Sequence, residues 1–277
     1  MTKKHLHRTR HSRYALMIAA AMTAAPGIAA ATGTTVTIDS GEVRTTSVAI
    51  ASDTNLTNNG TITADRDNGI AANNTTNVSI INNGTVTAND DNGIVAEYTT
   101  DISITNNSII SAADDNGIQL ANSSRATVNN TADGRISAEE NKGINLQDST
   151  NATITNNGEI TAGSSEVIDL RGSQGATITN SGTIKTDGTD GLLMVNATEA
   201  NVTNTGIIET LSDSILLGGN STFENAGTVT ADPEATAIRA IGDGSTVTLK
   251  SGSSISGGIE LNTNDDSFKS TLNIRVD

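Results

Sequence analysis

The chain has 277 residues, no cysteine, no tryptophan and only 1% aromatic residues, and sixteen Lys+Arg against 31 Asp+Glu give a formal charge of −15. Those figures exclude a disulfide-stapled scaffold and a core built on large rings. They also disfavour nucleic acid and anionic membranes, whose phosphates need Lys and Arg.

The N-terminal stretch is a separate object. Residues 3–13 (KKHLHRTRHSR) hold all three histidines and five Lys/Arg; residues 15–25 (ALMIAAAMTAA) are an apolar run of eleven, followed by Pro26-Gly27 and Ala29-Ala30-Ala31. Basic, apolar, then Ala-x-Ala is the layout of a secretory signal peptide over residues 1–31, too short to span a bilayer, with cleavage near Ala31. A buried N-terminal helix is the alternative. Removing this segment leaves eleven Lys+Arg against 31 acids, a mature charge of −20. With no disulfides, stability must come from the packing of the chain itself.

Residues 32–55 alternate like strands at Val36/Ile38 and Val48/Ile50 but keep an imperfect period, and read as an N-terminal cap or degenerate first coil. Tandem repeats fill residues 56–246. LTNNGTITADRDNGIAANNTTNVS (56–79) is followed at once by IINNGTVTANDDNGIVAEYTTDIS (80–103), and further copies start at Ile104, Val128, Ile154, Ile178, Val202 and Phe223. Three columns stay apolar through every copy. They begin at Leu56, Ile62 and Ile70 and recur in the next copy as Ile80, Val86 and Ile94. Three short strands per 24 residues, separated by Gly/Asn/Asp turns, predict an all-β, single-stranded parallel β-helix of roughly ten coils, about 50 Å long at ~4.8 Å per coil. Helices are disfavoured by the β-branched content and the missing 3.6-residue period.

Asparagine stands two residues after every copy start, at Asn58, Asn82, Asn106, Asn130, Asn156, Asn180, Asn204 and Asn225. A stacked column of buried amides, each donating to one neighbour and accepting from the other, accounts for that invariance. Glycine follows two residues later at Gly60, Gly84, Gly158, Gly182, Gly206 and Gly227, read as a bend needing positive φ. Copies three and four depart from this, with Ser108 and the insertion Thr131-Ala132-Asp133-Gly134, placed outside the coil. Residues 247–277 read as degenerate terminal coils, apparently truncated, with Leu272, Ile274 and Val276 alternating as a last strand.

The unit at Ile178–Leu192, I-T-N-S-G-T-I with a following G-L, resembles the repeats of autotransporter passenger domains of Gram-negative bacteria. The closing ISGGIELNTNDDSFKSTLNI is also similar to a coil variant toward the C-terminal side of such passengers. The resemblance covers about residues 36–277 and implies a right-handed β-helix, exported by its signal peptide and passed through the outer membrane by a C-terminal β-barrel. It also implies a cell-surface or extracellular location, with the periplasm in transit, and an adhesin or stalk role. Implied partners are host or neighbouring-cell surface molecules, or further copies of the chain, and no nucleic acid. The sequence departs in having no barrel, whose many alternating strands and aromatic girdles are missing. Export then depends on a translocator acting in trans or missing from this chain, or the chain is a remnant without function of its own.

The acidic turns ADRDNG (64–69), ANDDNG (88–93), AADDNG (112–117) and AEENKG (138–143) put Asp67, Asp91 and Asp115 in one column and Asp90, Asp114 and Glu140 in the next. Such a row is a candidate for Ca²⁺, whose oxygen ligands would offset the repulsion. A solvated Asp/Asn turn is the favoured reading of the same residues, and the calcium-binding G-G-x-G-x-D nonapeptide is not present, which weakens the metal reading further. No other cofactor is expected. A carbohydrate-active β-helix, lyase or hydrolase, is the alternative function. It is disfavoured because no His remains after signal removal, the pairs Asp90-Asp91, Asp114-Asp115 and Asp265-Asp266 fall in repeated turns, and no patch gathers acids and bases off-pattern. The expectation is therefore a non-catalytic protein with no catalytic residues. Outward threonines such as Thr61/Thr63 and Thr85/Thr87 resemble ice-binding rows, but Arg135, Glu159, Lys185 and Glu209 interrupt them.

Overall fold

The computed structural model describes residues 32–261 and 269–275. The signal-peptide reading, the Asp265-Asp266 pair, Phe268 and Val276 fall outside those residues. Three parallel sheets of 11, 10 and 10 strands wind around one axis, every third strand in the chain pairing in the same sheet. One coil shows the rule: Thr153–Asn156 lies in the first sheet, Glu159–Ala162 in the second and Ile168–Asp169 in the third. The next coil stacks on it in register, with Ile154 on Ile178, Ile160 on Ile184 and Ile168 on Leu192. This is the single-stranded parallel β-helix with a spacing of about 24 residues that the repeat predicts. Its sequence fits because β-branched residues pack well on a pleated surface, and each buried one contributes about 1.5–3 kcal/mol. The leading segment is itself a coil of three strands, Thr35–Ile38, Val43–Arg44 and Val48–Ala49.

Four-residue strands from Thr35–Ile38 to Thr246–Leu249 bury two side chains each. In Thr153–Asn156 they are Ile154 and Asn156, so the asparagine is an inward strand residue rather than part of a turn. All eight asparagines are 0% exposed. Each Nδ2 donates to the next coil's Oδ1 at 2.7–2.9 Å along the whole series. The column is bounded by apolar residues, Ile38 paired with Asn58 at one end and Leu249 with Asn225 at the other.

The glycine expectation needs correction. Gly60, Gly84, Gly158, Gly182, Gly206 and Gly227 are not among the positive-φ residues. Glycine is required there by close approach: a Cβ on Gly84 would strike the Gly60 carbonyl, and one on Gly182 the Gly158 carbonyl. Gly134, reached after the two-residue insertion, stands in the same column beneath Gly158.

Positive φ occurs instead at the corner between the third and first sheets, at two columns three residues apart. The pairs Asn74/Asn77, Tyr98/Asp101, Asn122/Arg125, Asp148/Asn151, Gly172/Gly175 and Asn196/Glu199 are all left-handed. The coil from Val202 to Phe223 is 21 residues long, and its corner keeps one such residue, Asn220. A buried hydroxyl column lies between them: Thr99 Oγ1 donates to Ser123 Oγ at 2.9 Å, Ser149 Oγ to Leu120 O at 2.9 Å and Ser173 Oγ to Leu146 O at 2.6 Å. Backbone groups at this tight corner thus find partners without water.

Candidate functional site

With the interior uniform, function must reside on outward positions. The acidic turns join the second sheet to the third and stack as the register requires, with Asn89 N on Ala64 O and Ala113 N on Ala88 O. Asp67, Asp90 and Asp114 are exposed, while Asp91 and Asp115 are partly buried. Neighbouring amides engage several of these carboxylates. Asn89 Nδ2 donates to Asp65 at 2.8 Å, while Asn116 and Asn141 both donate to Asp115, at 2.8 and 3.1 Å. Partial burial, then the charges of Asp115, Asp67 and Asp90, push the Asp91 carboxyl above its ordinary range. Asp65, Arg66, Asn89, Asp90, Ala113 and Asp114 line a surface hollow of about 530 Å³. Among the described residues, no three His, Cys, Asp or Glu side chains are grouped so as to hold a metal ion.

A second cluster, which sequence reading misses, lies on the outer face of the third sheet. The column two residues before its inward isoleucines starts as an amide relay, Asn116 Nδ2 to Asn92 and Asn92 Nδ2 to Asn68, each at 3.0 Å. From the fourth copy onward the column becomes ionisable, as Lys142, Glu166, Asp190 and Asp213. Beside it, Asp169 faces outward from its strand yet is 0% exposed. Arg171 seals it with Nη2 to Oδ2 at 2.6 Å and Nε to Oδ1 at 3.0 Å, and Lys142 Nζ stands 3.8 Å away. Further up, Arg239 bridges Asp213 at 2.8 Å and Glu260 at 2.9 Å.

Two carboxyls one coil apart are driven in opposite directions. Burial works against the Glu166 carboxylate, but a 2.6 Å bond from Ser165 Oγ, its own backbone, and the charges of Lys142 and Arg171 hold it below the ordinary range. Asp190 is pushed up to about 6 by burial, then by the charges of Asp213 and Glu166, against which Arg239 only partly acts. The expectation that no patch gathers acids and bases off-pattern is therefore corrected. It failed because these groups are about 24 residues apart in sequence and adjacent only in register. The signal was present as the change from Asn68, Asn92 and Asn116 to Lys142, Glu166, Asp190 and Asp213 at one repeat position.

Soft metal donors are scarce. The chain has no cysteine, its three histidines lie at positions 5, 7 and 11 outside the described residues, and Met194 is 0% exposed in the core.

A family model described as "Periplasmic copper-binding protein (NosD)" matches residues 26–205. No curated protein matches the chain. Among solved structures, that of the Streptococcus pneumoniae surface protein and adhesin PfbA is similar at 11% sequence identity and a TM-score of 0.40, over 87% of this chain and 91% of that one.

Proposed function

The chain belongs to the NosD family, and from that premise we propose that it is an exported, non-catalytic β-helix that works as a passenger-like adhesin or stalk at the cell surface. The observation that carries this reading is the unbroken stack: eleven strands of the first sheet pair in one order, and the inward columns hold while outward positions vary. Such a solenoid supplies reach and an extended contact surface without a dedicated cavity. The partners in this reading are surface molecules of a host or neighbouring cell, or further copies of the chain.

Copper, which the family's description names, does not fit the described residues. Copper sites draw on imidazole, thiolate and thioether donors. The described solenoid offers no His, no Cys and one methionine sealed in its core.

The experiment is topological. An epitope inserted at the two-residue bulge around Ala132-Asp133, which is exposed, should become accessible to antibody and protease on intact cells producing the full chain. Signal only after the outer membrane is permeabilised would place the protein in the periplasm and end the surface reading.

A second reading, a glycan-cleaving β-helix, has one observation in its favour: the third-sheet cluster, in which Glu166 and Asp190 are pushed apart in pKa. Acid–base cleavage of glycosidic bonds uses such an ionised and protonated pair. Assays for reducing ends and for unsaturated uronates over neutral and acidic polysaccharides would test it. Turnover abolished by Asp190→Asn and by Glu166→Gln would favour the enzyme, and no turnover would remove it.

A further inference from the structure

Charge is distributed unevenly around the rod. The turns between the second and third sheets carry Asp65, Asp67, Asp90, Asp91, Asp114 and Asp115; the second sheet carries Arg135, Glu159, Lys185 and Glu209; the third carries the cluster around Asp169. The first sheet differs. Its edge toward the third sheet carries the exposed Asp101, ion-paired with Arg125. But its two continuous outward strand columns run from Asn55 to Asn201 and from Thr57 to Thr203 through seven coils, and the adjoining turn column runs from Asn59 to Thr205. All three columns consist of Thr, Ser and Asn with one exposed isoleucine, Ile81, and hold no Asp, Glu, Lys or Arg. The first charge in these columns is Glu224 in the next coil, paired with Lys250.

We propose that this face is a self-association surface, on which a second copy of the chain packs sheet against sheet. Three arguments select that occupant. Two strongly acidic rods repel along every charged side, so the neutral face is the approach of least repulsion. A stack of Thr, Ser and Asn rows repeats at the strand spacing of ~4.8 Å, and a second copy matches that repeat row for row, which lets small side chains interdigitate as in paired sheets. Finally, five residue positions across and six coil steps along give a face of about 13 by 29 Å, or about 400 Å² per copy and about 800 Å² in total. That is under the roughly 1,000 Å² that stable interfaces clear and of a size for a weak, transient pairing only. The association is therefore reversible, with a Kd on the order of 100 μM, and isologous, the same patch on both partners. It holds whether or not the protein reaches the cell surface.

Sedimentation equilibrium of the full chain tests this. A monomer–dimer equilibrium is expected that tightens with added salt, because screening lowers the residual repulsion. Thr155→Glu with Thr179→Glu should weaken it at least about tenfold, since the like charges face each other across the interface. Thr63→Glu with Thr87→Glu on the second sheet should leave it unchanged. Because the chain lacks cysteine, Asn129→Cys at the middle coil gives a clean cross-linking probe and should join to its own copy faster than Thr87→Cys. That readout stands even if the double Glu variant fails to fold. A monomer at millimolar concentration, or equal weakening by the second-sheet pair, overturns the proposal. So does a monomer whose first-sheet face is bound by a crystalline neutral polysaccharide such as cellulose, which would mean a foreign occupant.

Discussion

Asn106 donates through Nδ2 to Asn130 Oδ1 at 2.9 Å, 24 residues along the chain and one coil up the axis. Asn130 in turn donates to Asn156 Oδ1 at 2.8 Å and to the carbonyls of Gly134 and Glu159 at 3.0 and 3.1 Å. Truncating a fully buried member strands a donor below and an acceptor above. Asn130→Ala should therefore cost about 2–4 kcal/mol in urea denaturation. Asn130→Asp should be worse at pH 7 and recover towards pH 4, because the new carboxyl can donate only when protonated. Equal stability of Asn130→Asp at the two pH values would show that the ladder does not depend on its donors.

Close packing and backbone conformation separate two kinds of glycine. At Gly182 a Cβ meets the backbone carbonyl of Gly158, which the sheet register holds in place. Gly182→Ala should cost about 2–4 kcal/mol, as overpacking against backbone does. Gly175 has φ +69° and its would-be Cβ meets only the Asn151 side chain, at 2.6 Å. Asn151 in the same column already adopts φ 54°. Gly175→Asn should then change stability by less than about 1 kcal/mol, since Asn tolerates the left-handed region. Comparing the two thermal melts decides between steric and conformational roles.

Thr54 is fully buried and its Oγ1 has no hydrogen-bond partner. It is the residue preceding Asn55, which pairs with Ser79, so the next coil places Val78 at the same inward position. An unsatisfied hydroxyl costs about 1–3 kcal/mol by mutational measures. Thr54→Val, nearly equal in shape, should raise stability by about 1 kcal/mol. A drop in the melting temperature would mean that the hydroxyl is satisfied.

How much of this was legible from sequence follows from what the repeat encodes. Inward columns such as Ile154 over Ile178, and the asparagine ladder, were readable because burial forbids variation there. Glycine identity was readable but not its cause: positive φ and close approach both demand glycine, and only the position of the Gly60 carbonyl separates them. The left-handed corner was illegible because it tolerates Tyr98, Arg125 and Glu199 as well as Asn and Gly. Asp169 escaped notice since nothing in its own neighbourhood says that Lys142, a coil away, helps bury it. Charge asymmetry between the sheets required knowing which side of each strand faces out.

At the third sheet, burial makes the Asp169–Arg171 pair sensitive to losing one member. Arg171→Ala leaves Asp169 fully buried with Lys142 at 3.8 Å as its remaining cation. Removing one partner of a buried pair is costly, here about 3 kcal/mol. The double variant Asp169→Leu with Arg171→Ala extends the Leu193–Leu216 column downward. It should recover stability to within about 1 kcal/mol of the parent, a non-additivity that a double-mutant cycle measures. An additive double variant would mean that Asp169 is solvated once Arg171 is gone.

Asp190 supplies a pH dependence of opposite sign to its neighbour. Its folded-state pKa, about 6, lies above the ordinary carboxyl value of 3.8. The folded state therefore binds the proton more tightly, and this group's stabilisation is complete below about pH 3.8 and lost as pH rises through 6. Glu166 runs the other way: its lowered pKa contributes stability above its unfolded value that is lost as pH falls. Subtracting melts of Asp190→Asn from those of the parent isolates the first effect, since Glu166 is common to both. The side chain is only partly buried, so the full linkage energy is discounted for solvent screening to about 1–2 kcal/mol. Asp190→Asn should match the parent near pH 3.5 and exceed it by that amount above pH 7, with the difference opening between pH 4 and 6. No hydrogen bond or ion pair is lost in the exchange, because the Asp190 side chain makes none among the described residues. A difference independent of pH would show that the carboxyl titrates alike in the folded and unfolded chain, and that Asp213 and Glu166 do not press on it.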